Sequence, residues 1–460
     1  MKNSPKLLLI LILCLVKSLT WTFMVPVFQT PDEQAHFAQL QWYAEKKNLK
    51  IDGQKNLSLE VATVEEILGT RRDERGNNKY TYHPEYKNNS NIPNLPKETR
   101  TVYVDQEAAL YPPLYYLLDL PFYYLGDLGP PSLRFGEVKE MGNFERRVMV
   151  ARILSVICHL GLVICAYFIG KIVWEDKFKS LVLAVLVGFH PMISFVSAGI
   201  HPDNLLNLIY SAGILVCLLI LKNGVKLKYL GWLGGLGWLG LQTKVLMIFF
   251  APVAVATVIV RLGNFGRLGM LGGLGIIMAP AMAFMGQWQI RYMLQVTSQS
   301  PLAHMNFWEY LKFRIPKIAF EMWPWYWGVF KWLSATLHPV VMKIITRVAA
   351  VCGVGLGIRL LGVVRGFGGF EKKAVIFFLL SAFSYLLYLV MWDFRAMQSM
   401  GYSPGLQGRY LFTNIVPQMA LLMVGLTIIK RWEKPLLLLL ASGMVVLNSI
   451  ALHTIYFLYY

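Results

Sequence analysis

The sequence predicts an all-α protein, a polytopic membrane helical bundle of about eleven spanning helices with one large outer loop between the first two. Three observations predict it. The 460 residues are 56% hydrophobic and only 15% charged, whereas soluble domains carry about a quarter charged residues. Apolar runs of the roughly 20 residues needed to cross a bilayer recur from end to end. The net charge of +18 gathers in short connections between those runs, where basic residues mark the cytoplasmic side. The charge therefore reports topology, and no nucleic-acid partner is expected. In lipid the backbone must satisfy its own hydrogen bonds, which requires helices. The runs are too long and uniform for the alternating strands of a membrane barrel.

The expected spans are 7–27, 148–171, 179–198, 204–221, 229–243, 245–261, 268–288, 340–362, 374–392, 411–430 and 435–457. The first follows Lys2 and Lys6 and resembles a signal peptide, but no small-x-small cleavage site follows, so it reads as an uncleaved helix. The pair flanking Lys244 is weakened by Gly234, Gly235, Gly237 and Gly240. With the N-terminus inside, every inner connection is basic. These connections hold Lys177 and Lys179; Lys222, Lys226 and Lys228; Arg261 and Arg267; Arg359, Arg365, Lys372 and Lys373; and Lys430, Arg431 and Lys434.

The chain reads as a single transmembrane domain, 1–460, with a first extracytoplasmic loop over 29–147. That loop carries 18 of the 26 acidic residues. Within it, 32–47 is expected to form an amphipathic helix on the surface, 71–101 to be irregular, and 109–126 to form an interfacial helix. A second outer region, 289–339, holds Trp308, Trp323, Trp325, Trp327 and Trp332, as in an interfacial belt. A third spans 393–409. The five cysteines all lie in apolar stretches without a CxxC, which points to small buried hydrophobes and away from a disulfide framework or zinc site.

Five short motifs carry polar chemistry. Pro31-Asp32-Glu33 follows the first helix, and His36 lies one helical turn after Asp32, so the two can face one ligand. A positioned carboxylate can act as a general base; the competing reading is a helix start, where an acidic residue favours the dipole. Tyr111-Pro112-Pro113-Leu114-Tyr115-Tyr116 combines a rigid bend with rings suited to an interface or a sugar face. His201-Pro202-Asp203-Asn204 sits in a short outer turn, where Pro and Asp also serve as caps. Thr243-Lys244 places a cation at membrane depth, suited to a lipid-linked phosphate or to snorkelling. Gln407-Gly408-Arg409-Tyr410 offers a guanidinium fork for phosphate, or an interfacial arginine. Lys17, Arg152 and His159 lie in or beside spans and read individually as packing or snorkelling residues.

As an ordered set, with Ala151-Arg152-Ile153-Leu154 added, these motifs resemble the GT-C superfamily of membrane glycosyltransferases. They are most similar to its bacterial membrane branch, domain-of-unknown-function family 2142, over roughly residues 1 to 430. The resemblance implies transfer of a sugar from a polyprenyl-phosphate-type carrier, on the outer side of the cell membrane, to a glycan, lipid or other acceptor. It implies catalysis by Asp32 with Glu33, and phosphate binding by Lys244 and Arg409. His36, Tyr111, His201, Asp203 and Tyr410 are then expected around the substrate. The pattern departs at two points. No Asp-x-Asp pair lies near Asp32, which leaves a divalent metal open, and no large soluble C-terminal domain follows, which disfavours a protein acceptor. Two other classes compete: a transporter or flippase of lipid-linked glycans, against which no internal repeat is found, and a non-catalytic component of a polysaccharide-assembly complex.

Overall fold

The computed structural model describes residues 5–49, 55–71, 92–105, 111–128, 143–261, 302–363, 367–401 and 406–460. The expected span 268–288, Arg267 and the greater part of 71–101 lie outside them, as do 289–301.

The chain enters through α1 (Pro5–Met24) and turns through 25–32 into α2 (Glu33–Lys46). A short strand β1 (Leu57–Ser58) leads into α3 (Leu59–Leu68) and pairs antiparallel with β2 (Tyr103–Asp105). Next come α4 (Leu114–Leu128), α5 (Asn143–Trp174), α6 (Lys177–Gly188), α7 (Pro191–Ser197), α8 (Pro202–Asn223), α9 (Leu227–Leu241) and α10 (Ala251–Arg261). After 302 follow α11 (Phe307–Lys317), α12 (Trp323–Trp327), a hairpin of β3 (Val329–Phe330) and β4 (Ala335–Thr336), α13 (Pro339–Leu360), α14 (Gly369–Met400), α15 (Ile415–Leu426) and α16 (Glu433–Tyr459). The long α5 is the hub, packing on α1, α4, α6 and α8.

Among the described residues six helices are long and apolar enough to cross a membrane, or seven if α6 and α7 form one bent span. Of the expected eleven, the span 268–288 lies outside the described residues, and the runs 179–198, 229–243, 245–261 and 411–430 are shorter or broken. The 229–243 and 245–261 runs become the glycine-rich α9 and a 3₁₀ turn (Val245–Phe250) continuing into α10. The run 411–430 becomes the twelve-residue α15 behind a 3₁₀ turn, about 18 Å of helix at 1.5 Å per residue against a core of about 30 Å. The run 179–198 is bent by 59° between α6 and α7. Pro191 cannot donate to the preceding turn, and buried side chains take the freed carbonyls. His159 Nε2 lies 3.1 Å from Gly188 O, and Asn448 donates to Phe189 O at 3.0 Å. Of the two readings of Lys17, packing or snorkelling, the structure has the first: it donates to Ser194 at 2.8 Å and lies 3.1 Å from His159 Nε2.

A second correction concerns α2. It is not a surface helix: every residue from Glu33 to Ala44 is buried. The helices α3 and α4 pack against it, and several of its polar residues find partners inside. Gln41 donates to Glu60 at 2.6 Å and Gln39 to Tyr111 O at 2.8 Å. All five cysteines are buried and unpaired.

Two glycines permit the close approaches that build the site. A β-carbon on Gly199 would lie 2.6 Å from Thr30 Cβ, and one on Gly408 would lie 2.6 Å from Met322 O. Gly199→Ala is therefore expected to lower the unfolding temperature in detergent, since overpacking costs about 1–3 kcal/mol. In Gly235→Ala the added β-carbon meets nothing, so helix propensity predicts equal or higher stability. Equal unfolding temperatures for Gly199→Ala and wild type would contradict the close approach.

Candidate active site

The polar motifs converge where the turn after α1, the start of α4, the start of α8 and the segments at Lys244 and Arg409 meet. Asp32 stands at the N-cap position of α2 with φ 59° but makes no cap hydrogen bond. Its carboxylate accepts from Arg409 Nη2 at 2.6 Å, and its side chain is 28% exposed. The helix-start reading thus describes where Asp32 sits but not where its side chain goes. Asp203 accepts from Lys244 Nζ at 2.5 Å. The Lys244 ammonium and the Arg409 guanidinium each lie 5.4 Å from the Tyr410 ring centroid, and Lys244 lies 5.2 Å from that of Tyr111. Two cations and two carboxylates thus share one aromatic-walled cluster.

Two imidazoles complete it. His201 accepts the Asp203 backbone N–H on Nδ1 at 3.1 Å, which leaves its hydrogen on Nε2 in the neutral tautomer. That Nε2 lies 3.4 Å from Arg409 Nη1, so two donors face one space, an arrangement that invites an anion's oxygen. The His201 ring packs edge-on to His36 at 4.5 Å, and His36 Nδ1 lies 2.8 Å from Tyr116 OH. Tyr115 OH accepts the His201 backbone N–H at 3.1 Å and lies 2.8 Å from Ser155 Oγ. Both imidazoles lie outside the spanning helices and are held well below the usual 6.5. Burial is the main cause for each, followed by His201 for His36 and by Arg409 and Lys244 for His201.

Glu33, expected beside Asp32 as a second catalytic carboxylate, is placed differently. It is fully buried and accepts from Arg152 Nε at 2.6 Å and Nη2 at 2.7 Å. It also accepts from Phe28 N at 2.9 Å and Ile200 N at 3.2 Å. Each oxygen has two donors, which fills a carboxylate's acceptor capacity. Arg152 is no snorkelling residue either; it also donates to Thr22 O, Val25 O and Pro26 O at 2.7–2.9 Å. The sequence marked Arg152 only as one motif position. Its pairing with Glu33, 119 residues away, left no local signal. Among the described residues no three His, Cys, Asp or Glu side chains are grouped to hold a metal ion.

Two measurements follow from this geometry. Glu33→Gln leaves the buried Arg152 charge uncompensated, which typically costs about 3–5 kcal/mol. The expected outcome is loss of folded yield or a steep drop in unfolding temperature, and Arg152→Lys should behave alike for want of the fork. A Glu33→Gln protein as stable as wild type would contradict the pairing. Burying two neutral imidazoles that the unfolded chain protonates below pH 6.5 makes stability fall as pH drops from 6.5 toward 5. The loss is up to about 1.4 kcal/mol per pH unit for each imidazole. Unfolding temperatures recorded across that range should fall for wild type and less steeply for His201→Gln; parallel curves would contradict a buried neutral His201.

No curated protein matches the chain. Two solved chains align with nearly all of it, both from Archaeoglobus fulgidus. One is the archaeal oligosaccharyltransferase AglB in complex with an inhibitory peptide and a dolichol-phosphate, at 11% identity and TM-score 0.44, covering 98% of this chain and 56% of that one. The other is the oligosaccharyltransferase in complex with Zn and sulfate, at 12% identity and TM-score 0.40, covering 97% and 53%. The present chain thus spans about half their length, a distant likeness that by itself assigns neither fold nor activity. The family match is of another order, running over residues 15–419, and the chain belongs to the family described as "Predicted membrane protein (DUF2142)".

Proposed function

We propose that this protein is a membrane glycosyltransferase that moves a sugar from a polyprenyl-phosphate-type carrier to a glycan or lipid acceptor on the outer face of the membrane. The observation that carries the reading is the convergence of Asp32, Arg409, His201, Asp203 and Lys244 on one cluster next to an apolar groove. That groove has a volume of about 410 Å³ and is lined by Met322, Tyr326, Leu411, Leu422 and neighbours. Gly408 packs directly against the backbone of 322–326, so one wall of the groove abuts the Arg409 turn. An isoprenoid tail in the groove brings its phosphate toward Arg409, His201 Nε2 and Lys244.

The resting ion pair gives the reaction an order. Arg409 holds the Asp32 carboxylate in an ion pair, so the pair must open before that carboxylate can take a proton. A carrier phosphate that draws Arg409 to itself releases that carboxylate. Asp32 then takes the proton of an acceptor hydroxyl as the hydroxyl oxygen attacks the anomeric carbon. The bond from that carbon to the phosphate oxygen breaks, and its electron pair leaves with the carrier. Arg409 and Lys244 stabilise the growing phosphate charge, an effect that is large in a water-poor site.

The outer placement in this reading is supported by the opposite end of the bundle. There the basic connections meet one another: Lys179 pairs with Glu433, Lys222 with Glu175, and Trp174 Nε1 donates to Glu371 at 3.0 Å. Basic residues collect on the cytoplasmic side, which supports the reading of the Asp32 cluster and the 29–147 region as lying outside.

The test is transfer from a polyprenyl-linked sugar by purified variants in lipid. Asp32→Asn keeps shape and polarity and should slow transfer by about a hundredfold or more, the usual size of a general-base contribution. Arg409→Lys should weaken carrier binding and not restore it fully. Equal transfer rates for wild type and Asp32→Asn would sink the assignment of the base.

A further inference from the structure

Beside the Asp32–Arg409 ion pair lies a cavity of about 30 Å³ whose lining includes Gln29, Asp32, Trp332, Leu333, Gln407 and Arg409. The chemistry above uses only the ion pair. The other lining residues carry unmet hydrogen-bonding capacity. Gln29 Oε1, Gln407 Oε1 and Arg409 Nε are buried with no hydrogen-bond partner among the described residues, and Gln29 is 2% exposed. Buried polar atoms are nearly always paired, so three unpaired ones around one cavity point to a polar occupant.

The backbone on both sides of the cavity is held in a conformation that side chains disfavour. At the tip of the β3–β4 hairpin, Lys331, Trp332 and Leu333 have φ of 48°, 53° and 66°. L-residues normally enter this left-handed region singly. Across the cavity Phe28 and Asp32, with φ of 62° and 59°, flank Gln29. The two strained segments are tied together, since Trp332 Nε1 donates to Phe28 O at 3.0 Å. Such outliers persist where the surroundings over-determine them, and they cluster at ligand clamps. What this one accomplishes is to hold a half-buried indole against the rim beside the proposed base.

We infer that this cavity is the acceptor subsite and that the acceptor is a carbohydrate, with Trp332 as the platform for a pyranose ring and the Gln29 and Gln407 amides reading its hydroxyls. The inference rests on the reading of Asp32 as the base. The volume admits about one water-sized group, which suits a single hydroxyl entering toward Asp32 while the ring remains at the mouth. A hydroxyl donates one hydrogen bond and accepts others, so the entering hydroxyl donates to Asp32 and accepts from Arg409 Nε, and the unpaired Gln29 and Gln407 amide oxygens accept from neighbouring hydroxyls of the same ring. The C–H face of a sugar matches the apolar body of an indole, whose N–H is here already committed to Phe28 O.

The experiment is binding of methyl glycosides of common hexoses and N-acetylhexosamines to the full-length protein in lipid nanodiscs, with no donor present, titrated by saturation-transfer NMR. Wild type should bind at least one of them. Trp332→Ala should weaken that binding about tenfold or more, and Trp332→Phe, which keeps an aromatic face, by less than about threefold. Because Trp332→Ala can also disturb the turn, Gln407→Leu serves as the second variant. It removes an unpaired buried amide, so it should fold at least as well as wild type and still lose about threefold or more in glycoside affinity. Absence of glycoside binding in wild type, unchanged affinity in both Trp332→Ala and Gln407→Leu, or displacement of the glycoside by a serine-containing peptide would each overturn the inference. Glycoside binding without sugar transfer would bring down the proposed function and leave the subsite standing. Sugar transfer without glycoside binding would do the reverse.

Discussion

The ion pair between Glu33 and Arg152 is the constraint on which the site depends. Arg152 projects from α5, the helix that most of the bundle packs against, and its donors end α1 by taking the carbonyls of Thr22, Val25 and Pro26. Glu33 returns the connection by accepting from the backbone at Phe28 and Ile200. One buried knot therefore fixes the exit of α1, the start of α2 and the turn before α8. Asp32 and His201 are each one residue from an atom held by that knot. Such a pair is poor at adding stability, because desolvation offsets much of its attraction. What it supplies is position: two loops from distant parts of the chain are held at hydrogen-bonding precision.

Around that anchor the charges are arranged to balance. Asp32 is matched by Arg409 and Asp203 by Lys244, while burial keeps both imidazoles uncharged. An unmatched charge in so dry a place would carry a penalty of several kcal/mol. The balance also means that an incoming phosphate exchanges partners and does not simply add to a positive patch. The aromatic walls Tyr111 and Tyr410 stabilise the cations through their faces without offering competing acceptors.

The far end of α2 is held by a second network. Arg147 donates to Glu60 and Tyr123, Tyr123 to Glu45 at 2.7 Å, and Arg100 to Asp127 at 3.0 Å. These bonds fasten α2, α3, α4 and the head of α5 to one another. Many of the acidic residues of 29–147 are thus spent as internal ties rather than displayed to solvent. A helix clamped at both ends keeps the residue at its head from drifting, which a general base requires.

The sequence by itself determined the membrane class, the position of most spanning helices and the short list of polar residues that meet at the site. Hydropathy is a local property, and a polar residue among apolar runs stands out without knowledge of its partner. Asp32, His36, Tyr111, His201, Asp203, Lys244, Arg409 and Tyr410 were legible for that reason. Only the tertiary structure decided what each does. Adjacent residues at a helix start point about 100° apart, so Asp32 and Glu33 could not both face one cavity, and the choice between them lay with Arg152, 119 residues on. The burial of α2 was hidden likewise, because polar residues such as Gln41 and His36 are met by Glu60 of α3 and Tyr116 of α4. Trp332 read as one tryptophan of an interfacial belt, since a run of left-handed backbone leaves no mark in residues that are not glycine. The bend before Pro191 was hidden in the same way, since it is sustained by buried side chains from α5 and α16 whose reach no local pattern encodes.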